Sequence, residues 1–268
     1  MNKHIGRCGI SCCVTSGPRG LLLTPHWAVM VSNEGPVVNL FSKGDYKVKL
    51  GDGSEVEMKQ ETSYPEDGIV QIIVKSDNRK QFALRIRIPT WSKNTTLKVN
   101  HEKVECAQGR YAVINRVWNP LDSIILTLDM RGRIIDAPSG APAIAIMRGP
   151  LLLSIDDRMV KPDNTVLEIV RNDDGTVTLT PLSEKPDGIW MAFSVPFAFY
   201  RWPNAPAILK SVTFCDYQSA GNQFSSHNAF RSWLPQPFNM LAPFPYDTWK
   251  LTYEQMRPLL PPDNKVSY

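Results

Sequence analysis

The sequence lacks any long run of apolar residues. No stretch among its 268 residues approaches the roughly 18 apolar residues that a membrane-spanning helix needs, so we predict no membrane association. The first residues, 1–13, are basic but contain no apolar stretch of about 7–15 residues, so they do not form a signal peptide. A chain that began inside a longer exported protein would lack one as well, and the compartment is therefore left unassigned.

The sequence also lacks a large excess of charge of either sign. The 30 basic and 26 acidic residues give a net charge of +4, and the basic residues are scattered. No segment interleaves a Lys/Arg run with aromatic residues, so we predict no nucleic-acid partner. Hydrophobic residues make up 43% of the chain and charged residues 21%, a composition that favours a packed core over wholesale disorder.

Cysteine is rare and unevenly placed. There are five cysteines, an odd number, and no disulfide framework is suggested. Cys106 and Cys215 are isolated in segments with a strand-like sequence pattern, and we interpret them as small buried hydrophobic residues. The other three crowd into the stretch 8–13, and Cys12 and Cys13 are adjacent. Neighbouring Cα atoms lie about 3.8 Å apart, whereas disulfides prefer roughly 4.4–6.8 Å, so this pair is not expected to bridge.

Short alternating strands with polar turns fill most of the chain. "YKVKL", "GDG" and "SEVEMKQET" form a hairpin signature, and further alternating segments follow at intervals typical of a β-sandwich. A Pro/Gly/Ser/Ala cluster at 136–142 marks a boundary. We predict an all-β fold of two consecutive, jelly-roll-like β-sandwich domains at 33–136 and 137–268. One short helix, from about Ser16 to Met30 and limited or kinked by Pro25, precedes them.

Several motifs occur in a characteristic order. "SCCVTSGPRGL" is followed by "FALRIRIPTWSKNTTLKVN", "RYAVINRVWNPLDSIILTLDM", "MRGPLLLSID" and "VTFCDYQSAGN". In this order they resemble the C-terminal portion of glycoside hydrolase family 127, the β-L-arabinofuranosidase-like enzymes. The resemblance implies that residues 1–32 are the end of an (α/α)₆ catalytic barrel and that the two sandwiches follow it.

The resemblance also implies roles for the cysteine pair. Cys12 corresponds to the nucleophile that attacks the anomeric carbon, and Cys12 and Cys13 would ligate zinc. The family's acid/base glutamate and two further zinc ligands, from a Glu-x-Cys motif, come from the barrel upstream. Eleven residues precede Cys12 and none is Glu. We therefore expect the acid/base, half of the zinc shell and the barrel walls to be missing from this chain.

Residue chemistry alone permits this role and leaves alternatives open. A free thiol has a pKa near 8.5, and metal coordination lowers it enough to supply thiolate at neutral pH. His4 and Cys8 could complete the site, since His4, Cys8 and Cys12 are spaced four apart, although nearby glycines disfavour a helix there. Otherwise the first 30 residues are the remnant of a barrel helix with reactive thiols.

Other residues have both a functional and a structural interpretation, and we favour the structural one for each. Arg19 could position substrate or pack at a junction. The loop with Asp216, Tyr217, Asn222 and Gln223 could bind sugar or seal the last sandwich. Trp91, Trp118 and Trp233 could be platforms for sugar rings or anchors in the core. His227 could be a metal ligand or an ordinary loop residue. Asp156 and Asp157 follow an apolar strand, and we interpret them as solvated residues at its end.

Three functions therefore compete. The first is a retaining glycoside hydrolase acting on plant-type arabinose-containing glycans or other carbohydrate, with an upstream barrel polypeptide as a partner. The second is a non-catalytic double β-sandwich that binds carbohydrate or braces a partner domain. The third is a structural zinc or redox thiol protein, which is disfavoured because "CGISCC" contains no CxxC pair. A neighbouring reading frame that encodes a helical barrel with Glu-x-Cys would distinguish the first two.

Overall fold

The structure is a computed structural model. It describes residues 11–75, 79–137, 143–160, 166–199, 207–223, 229–236 and 238–239. Its first elements, in chain order, are α1 (Ser11–Ala28), β1 (Val29–Ser32), β2 (Gly35–Val38), β3 (Gly44–Lys49), β4 (Glu55–Thr62), β5 (Ile69–Lys75), β6 (Lys80–Arg87), β7 (Thr96–Val99), β8 (Glu102–Val104), β9 (Tyr111–Trp118) and β10 (Asp122–Thr127).

The remaining strands follow a short connection after β10. They are β11 (Gly132–Asp136), β12 (Ala143–Arg148), β13 (Leu151–Asp156), β14 (Val166–Ile169), β15 (Thr180–Pro181), β16 (Ala192–Phe199), β17 (Ile208–Asp216), β18 (Phe230–Arg231), β19 (Leu234–Pro235) and β20 (Phe238–Asn239). The predicted all-β, sandwich-like fold is confirmed. In the described part of the chain no helix is long and apolar enough to cross a membrane.

Strands β1–β10 form a two-layered sandwich, which we call the first β unit. One sheet has the order β1-β2-β6-β9 and the other the order β3-β4-β5-β10-β7-β8. Alternate residues of each strand point inward, and side chains such as Met58, Ile72, Leu84, Trp118 and Leu126 meet in one core. The sandwich thus follows directly from the alternation in the sequence.

Two backbone details fix the geometry of the first β unit. At Gly35, where φ is +145°, an added Cβ would lie 2.3 Å from the carbonyl oxygen of Ala83, so this close approach requires glycine. Asn100 and His101 both have positive φ at the tight turn between β7 and β8. Such a pair of residues is the signature of a type I′ hairpin turn.

Strands β11–β20 form the second β unit. Its main sheet has the order β11-β12-β13-β17-β16-β14-β20, with β15, β18 and β19 paired at its sides. A separate core lies on this sheet and includes Ile146, Leu153, Val195, Phe197 and Phe214. Strand β11 belongs to this sheet, while the domain limits at residues 136 and 137 stay a prediction.

Helix α1 differs from the predicted helix in its limits. It begins at Ser11, earlier than predicted, and continues through both Pro18 and Pro25 to Ala28. An interior proline removes a backbone hydrogen bond and costs roughly 3 kcal/mol. The helix therefore has low intrinsic stability, and packing against other residues must supply the remaining stabilisation.

Candidate functional site

The cysteine pair lies in the first turn of α1. Cys12 and Cys13 directly follow Ser11, where the helix begins, and for this turn the structure describes the backbone alone. The alternative ligands His4 and Cys8, and also His227, lie outside the described residues. Free backbone N–H groups at a helix N-terminus stabilise a thiolate. The backbone of this segment is thus compatible with thiolate chemistry.

The rest of α1 carries an uncovered apolar surface. Leu21 and Leu22 are 75% and 73% exposed, and Arg19 is exposed beside them. We use the name N-terminal apolar surface for the exposed side chains Leu21, Leu22, Leu23, Trp27, Met30 and Val31. Large exposed apolar patches mark protein, membrane or ligand interaction sites.

The loop after β17 is held by a buried carboxylate. Asp216 is fully buried and accepts hydrogen bonds from the backbone N–H of Met191 at 3.0 Å and of Ser219 at 2.9 Å. The Ser219 hydroxyl donates to it as well and accepts one from the N–H of Trp190. Asp216 therefore closes a turn, in agreement with its structural interpretation, while the sealing of the last sandwich stays a prediction.

A second buried carboxylate corrects a prediction. Asp156 was interpreted as strand-end solvation, but it is fully buried. It accepts hydrogen bonds from Nε and Nη2 of Arg158, both at 2.8 Å, and from the N–H of Gly221 at 2.9 Å. Burial raises the pKa of Asp156, but these donors outweigh burial and hold it below its usual value. The interpretation as strand-end solvation is wrong because Arg158 and Gly221, which is 65 positions away, enclose this carboxylate.

Arg158 extends this buried contact into the loop. It also donates to the side-chain oxygen of Asn222 at 3.0 Å and to the carbonyl of Ser219. The amide of Asn222 donates in turn to the carbonyl of Gly188. Asn222 thus braces the loop, while Tyr217 is 43% exposed and Gln223 is exposed at its end. Arg158 and Ser219 were missed from the sequence, where neither belongs to a recognisable motif.

The tryptophans and isolated cysteines have structural surroundings. Trp118 is fully buried and donates its indole N–H to the carbonyl of Phe82, which confirms it as a core anchor. Trp91 packs partly buried against the same core. Cys215 is fully buried as predicted, whereas Cys106 is only partly buried, in contact with the core edge. Trp233 is partly exposed between β18 and β19.

Metal-binding groups are sparse in the described residues. No cluster of three or more His, Cys, Asp or Glu side chains in that part of the chain could hold a metal ion. Adjacent positions of a helix project about 100° apart, and two thiolates supply only half of a tetrahedral zinc shell. The residues described here do not complete a zinc site on their own.

Comparison with known proteins shows that most of the first β unit is similar to a known family of domains. Residues 36–130 match the family model described as the middle domain of the glycoside hydrolase family 127 β-L-arabinofuranosidases. Residues 36–130 are therefore similar to a family-127 middle domain. The match runs from β2 to the residues just after β10, so it covers nearly all of the first β unit and its core but not β1. The resemblance predicted from the sequence is confirmed.

Solved structures extend the likeness in fold beyond the family-127 middle domain. One, titled glycoside hydrolase, is 23% identical with a TM-score of 0.70 and covers 85% of this chain. A family-127 β-L-arabinofuranosidase from Geobacillus stearothermophilus T6 is 24% identical with a TM-score of 0.68 over 84%. A family-127 β-arabinofuranosidase is 21% identical with a TM-score of 0.67 over 85%.

The chain is much shorter than these structures. It spans 40%, 37% and 39% of their respective lengths. No curated protein matches the sequence. The shared architecture therefore concerns the fold of the β units, and the activity of a whole enzyme is a separate question.

Proposed function

We propose that this chain is the β-sandwich portion of a retaining glycoside hydrolase that cleaves arabinose-containing glycans, with Cys12 as the nucleophile. One observation carries the proposal: a family-127 middle domain at residues 36–130 follows a helix that begins with the cysteine pair. Similar solved structures are described as β-L-arabinofuranosidases, which supports arabinofuranosides as the substrate class.

The reaction would use Cys12 in two steps. Its thiolate attacks the anomeric carbon, so a C–S bond forms as the glycosidic C–O bond breaks, and a general acid gives a proton to the leaving oxygen. The same group then takes a proton from water, which attacks the anomeric carbon and releases the thiolate. Two displacements at one carbon retain its configuration.

The general acid and base would come from a helical barrel. General acid/base assistance contributes roughly 10²–10⁴-fold and requires a positioned group. By resemblance this group is a barrel glutamate. The barrel is a partner of this chain in the proposal, whether on the same polypeptide or on another one.

The N-terminal apolar surface supports such a partner. Leu21 and Leu22 project into solvent from a helix that contains two prolines. Most helical stability in proteins comes from packing of an apolar face, and in the described chain this face is unpacked. A helical barrel that covered it would remove the leucines from water and stabilise α1.

Zinc would be shared between the two parts. Cys12 and Cys13 offer thiolates, which zinc prefers, and the barrel's Glu-x-Cys motif would offer the remaining ligands. The described residues contain no cluster of three or more metal-binding side chains, so the remaining zinc ligands in this proposal come from the barrel.

The test is hydrolysis of an aryl β-L-arabinofuranoside by the chain with and without its barrel. The chain alone should give no turnover, and the barrel should restore it. Cys12→Ser should abolish the restored activity, while Cys106→Ser, at a partly buried site in the first β unit, should retain it. Turnover by the chain alone, or full activity of the Cys12→Ser variant with the barrel, would overturn the proposal.

A further inference from the structure

A shallow groove lies where β6 ends and β9 begins. Its volume is about 180 Å³, and its lining includes Arg87, Thr90, Trp91, Gly109, Arg110 and Tyr111. Arg87 and Tyr111 are direct cross-strand partners, so their side chains lie on the same face of the sheet. The groove is remote in sequence from the cysteine pair.

Positive charge at the groove is not compensated within the described residues. The arginine ion pairs in that part of the chain belong to Arg85, Arg116, Arg131 and Arg158. Arg87 and Arg110 both line the groove, and neither forms an ion pair with a described carboxylate. Unpaired charges of one sign in a concave site attract an anion.

A third guanidinium lies beside the groove. Arg133 lies 5.8 Å from the centroid of the Trp91 ring and donates to the carbonyl of Gly149 at 2.7 Å. Its Nε is buried and has no hydrogen-bond partner among the described residues. Burial lowers the pKa of this guanidinium, although an arginine remains charged near neutral pH.

Hydrogen bonds hold one side of the groove in place. Asn39 accepts hydrogen bonds from Nε of Arg87 at 2.7 Å, through its carbonyl, and from the hydroxyl of Tyr111 at 2.6 Å, through its side chain. Backbone bonds join Ile88 with Arg110 at 2.8 Å and with Gly109 at 2.9 Å. A binding site fixed in this way loses little conformational entropy when it is occupied.

We propose that this groove binds a carboxylate-bearing sugar residue, such as a uronic acid unit of a glycan. The planar guanidinium groups of Arg87 and Arg110 match a carboxylate. The rings of Trp91 and Tyr111 offer flat apolar surfaces for the C–H face of a sugar.

The size of the groove fits a single sugar ring. Pockets for drug-sized ligands measure roughly 300–1,000 Å³, and this groove is smaller and open at the surface. One acidic unit would enter it, while the rest of the glycan would remain outside. An inorganic anion would leave the aromatic rings unused, and a neutral sugar would leave the arginines unused.

The test is titration calorimetry on the chain alone with trigalacturonic acid. A neutral galactotriose, inorganic phosphate and a tri-glutamate peptide serve as comparison ligands. The uronate trimer should bind at least roughly tenfold more tightly than each of them, because only it engages both the arginines and the rings. Added salt should weaken its binding, since the site is solvent-accessible.

A matched pair of variants assigns the binding to the groove. Arg110→Gln should raise the Kd for the uronate trimer at least roughly tenfold. Arg79→Gln removes the same charge just before β6, about 26 Å from Arg87 along the strand, and should change the Kd less than about twofold. Equal melting temperatures of the two variants would show that both are folded.

Several outcomes would overturn the proposal. Equal binding of phosphate would identify a general anion site, equal binding of galactotriose would exclude carboxylate recognition, and equal binding of tri-glutamate would identify an acidic-peptide site. No binding of the uronate trimer, or an unchanged Kd in Arg110→Gln, would show that the groove is not its binding site. None of these results depends on the barrel or on Cys12, so this proposal and the hydrolase proposal can fail separately.

Discussion

At the scale of single residues, Leu121 has a backbone conformation that L-amino acids rarely adopt. Its φ is +67°, in the left-handed region, where a Cβ costs roughly 1–2 kcal/mol. Its side chain is 70% exposed, so burial does not offset this cost. Its N–H donates to the carbonyl of Val74 at 3.0 Å, and this bond holds the turn before β10.

Replacing Leu121 should therefore stabilise the protein. Asparagine tolerates the left-handed region, and unlike glycine it adds little freedom to the unfolded chain. We expect Leu121→Asn to raise the free energy of unfolding by about 0.5–1 kcal/mol, measured by urea denaturation. Leu121→Ala keeps an ordinary Cβ and should give no such gain. Equal stabilisation by both variants would contradict the role of backbone strain.

Cys215 makes stability depend on pH in the alkaline range. Burial raises the pKa of its thiol to about 12, and the carboxylates of Asp156 and Asp216 add to the shift. In the unfolded chain the thiol has a pKa near 8.5. Above about pH 8.5 the unfolded state therefore releases a proton that the folded state keeps, and stability falls as the pH rises toward about 12.

Substituting Cys215 should remove this dependence. We expect the wild-type free energy of unfolding to fall more steeply than that of Cys215→Ala between about pH 9 and 11, by up to roughly 1.4 kcal/mol per pH unit. Denaturant titrations at several pH values would measure both slopes. Cys106→Ala should change the slope less, because that thiol is only partly buried. Parallel curves for wild type and Cys215→Ala would refute the assignment.

At the scale of elements, the end of β13 is joined to the loop after β17 by one buried ion pair. Asp156 at the end of β13 accepts hydrogen bonds from Arg158 and from the N–H of Gly221. Arg158 also donates a hydrogen bond to Asn222. The side chain of Arg158 is only 11% exposed. Removing one member of a buried pair leaves the other charge uncompensated.

Asp156→Asn should consequently be strongly destabilising. We expect it to lower the free energy of unfolding by roughly 3–5 kcal/mol, measured by denaturant titration near neutral pH. Asp157→Asn, at the exposed neighbour that accepts the N–H of Ala229, should cost only about 1 kcal/mol. A similar small cost for both variants would mean that Arg158 finds other partners or water.

Some structural features are predictable from the local sequence, and others depend on contacts between distant residues. The β3–β4 hairpin was predicted from local alternation and a Gly-Asp-Gly turn, and it is confirmed. The contact between Asp156 and Gly221 spans 65 positions, and no local pattern encodes it. The groove is likewise invisible in sequence, since Arg87 and Arg110 become neighbours only when β6 pairs with β9. Local periodicity specifies strands, while long-range pairing assembles the sites.

At the scale of the whole molecule, a polar seam joins the two β units. Arg148 of β12 donates to the carbonyls of Pro65 at 2.9 Å and Glu66 at 2.8 Å in the first unit. Its guanidinium also lies 5.1 Å from the ring centroid of Phe193. The indole N–H of Trp190 donates to the side chain of Glu66 at 2.6 Å. Interfaces of this polar kind permit relative motion unless specific contacts prevent it.

Arg148 is therefore expected to couple the unfolding of the two units. Arg148→Met keeps an unbranched side chain against Phe193 but loses both donors, and hydrogen bonds from charged groups contribute roughly 1.5–3 kcal/mol each. We expect native-state hydrogen exchange to show one common opening free energy for both cores in the wild type and two different values in Arg148→Met. Trp190→Phe, which loses a single bond at an exposed position, should keep the common value. If Arg148→Met lowers both cores equally, the units unfold as one body and the seam does not depend on this arginine.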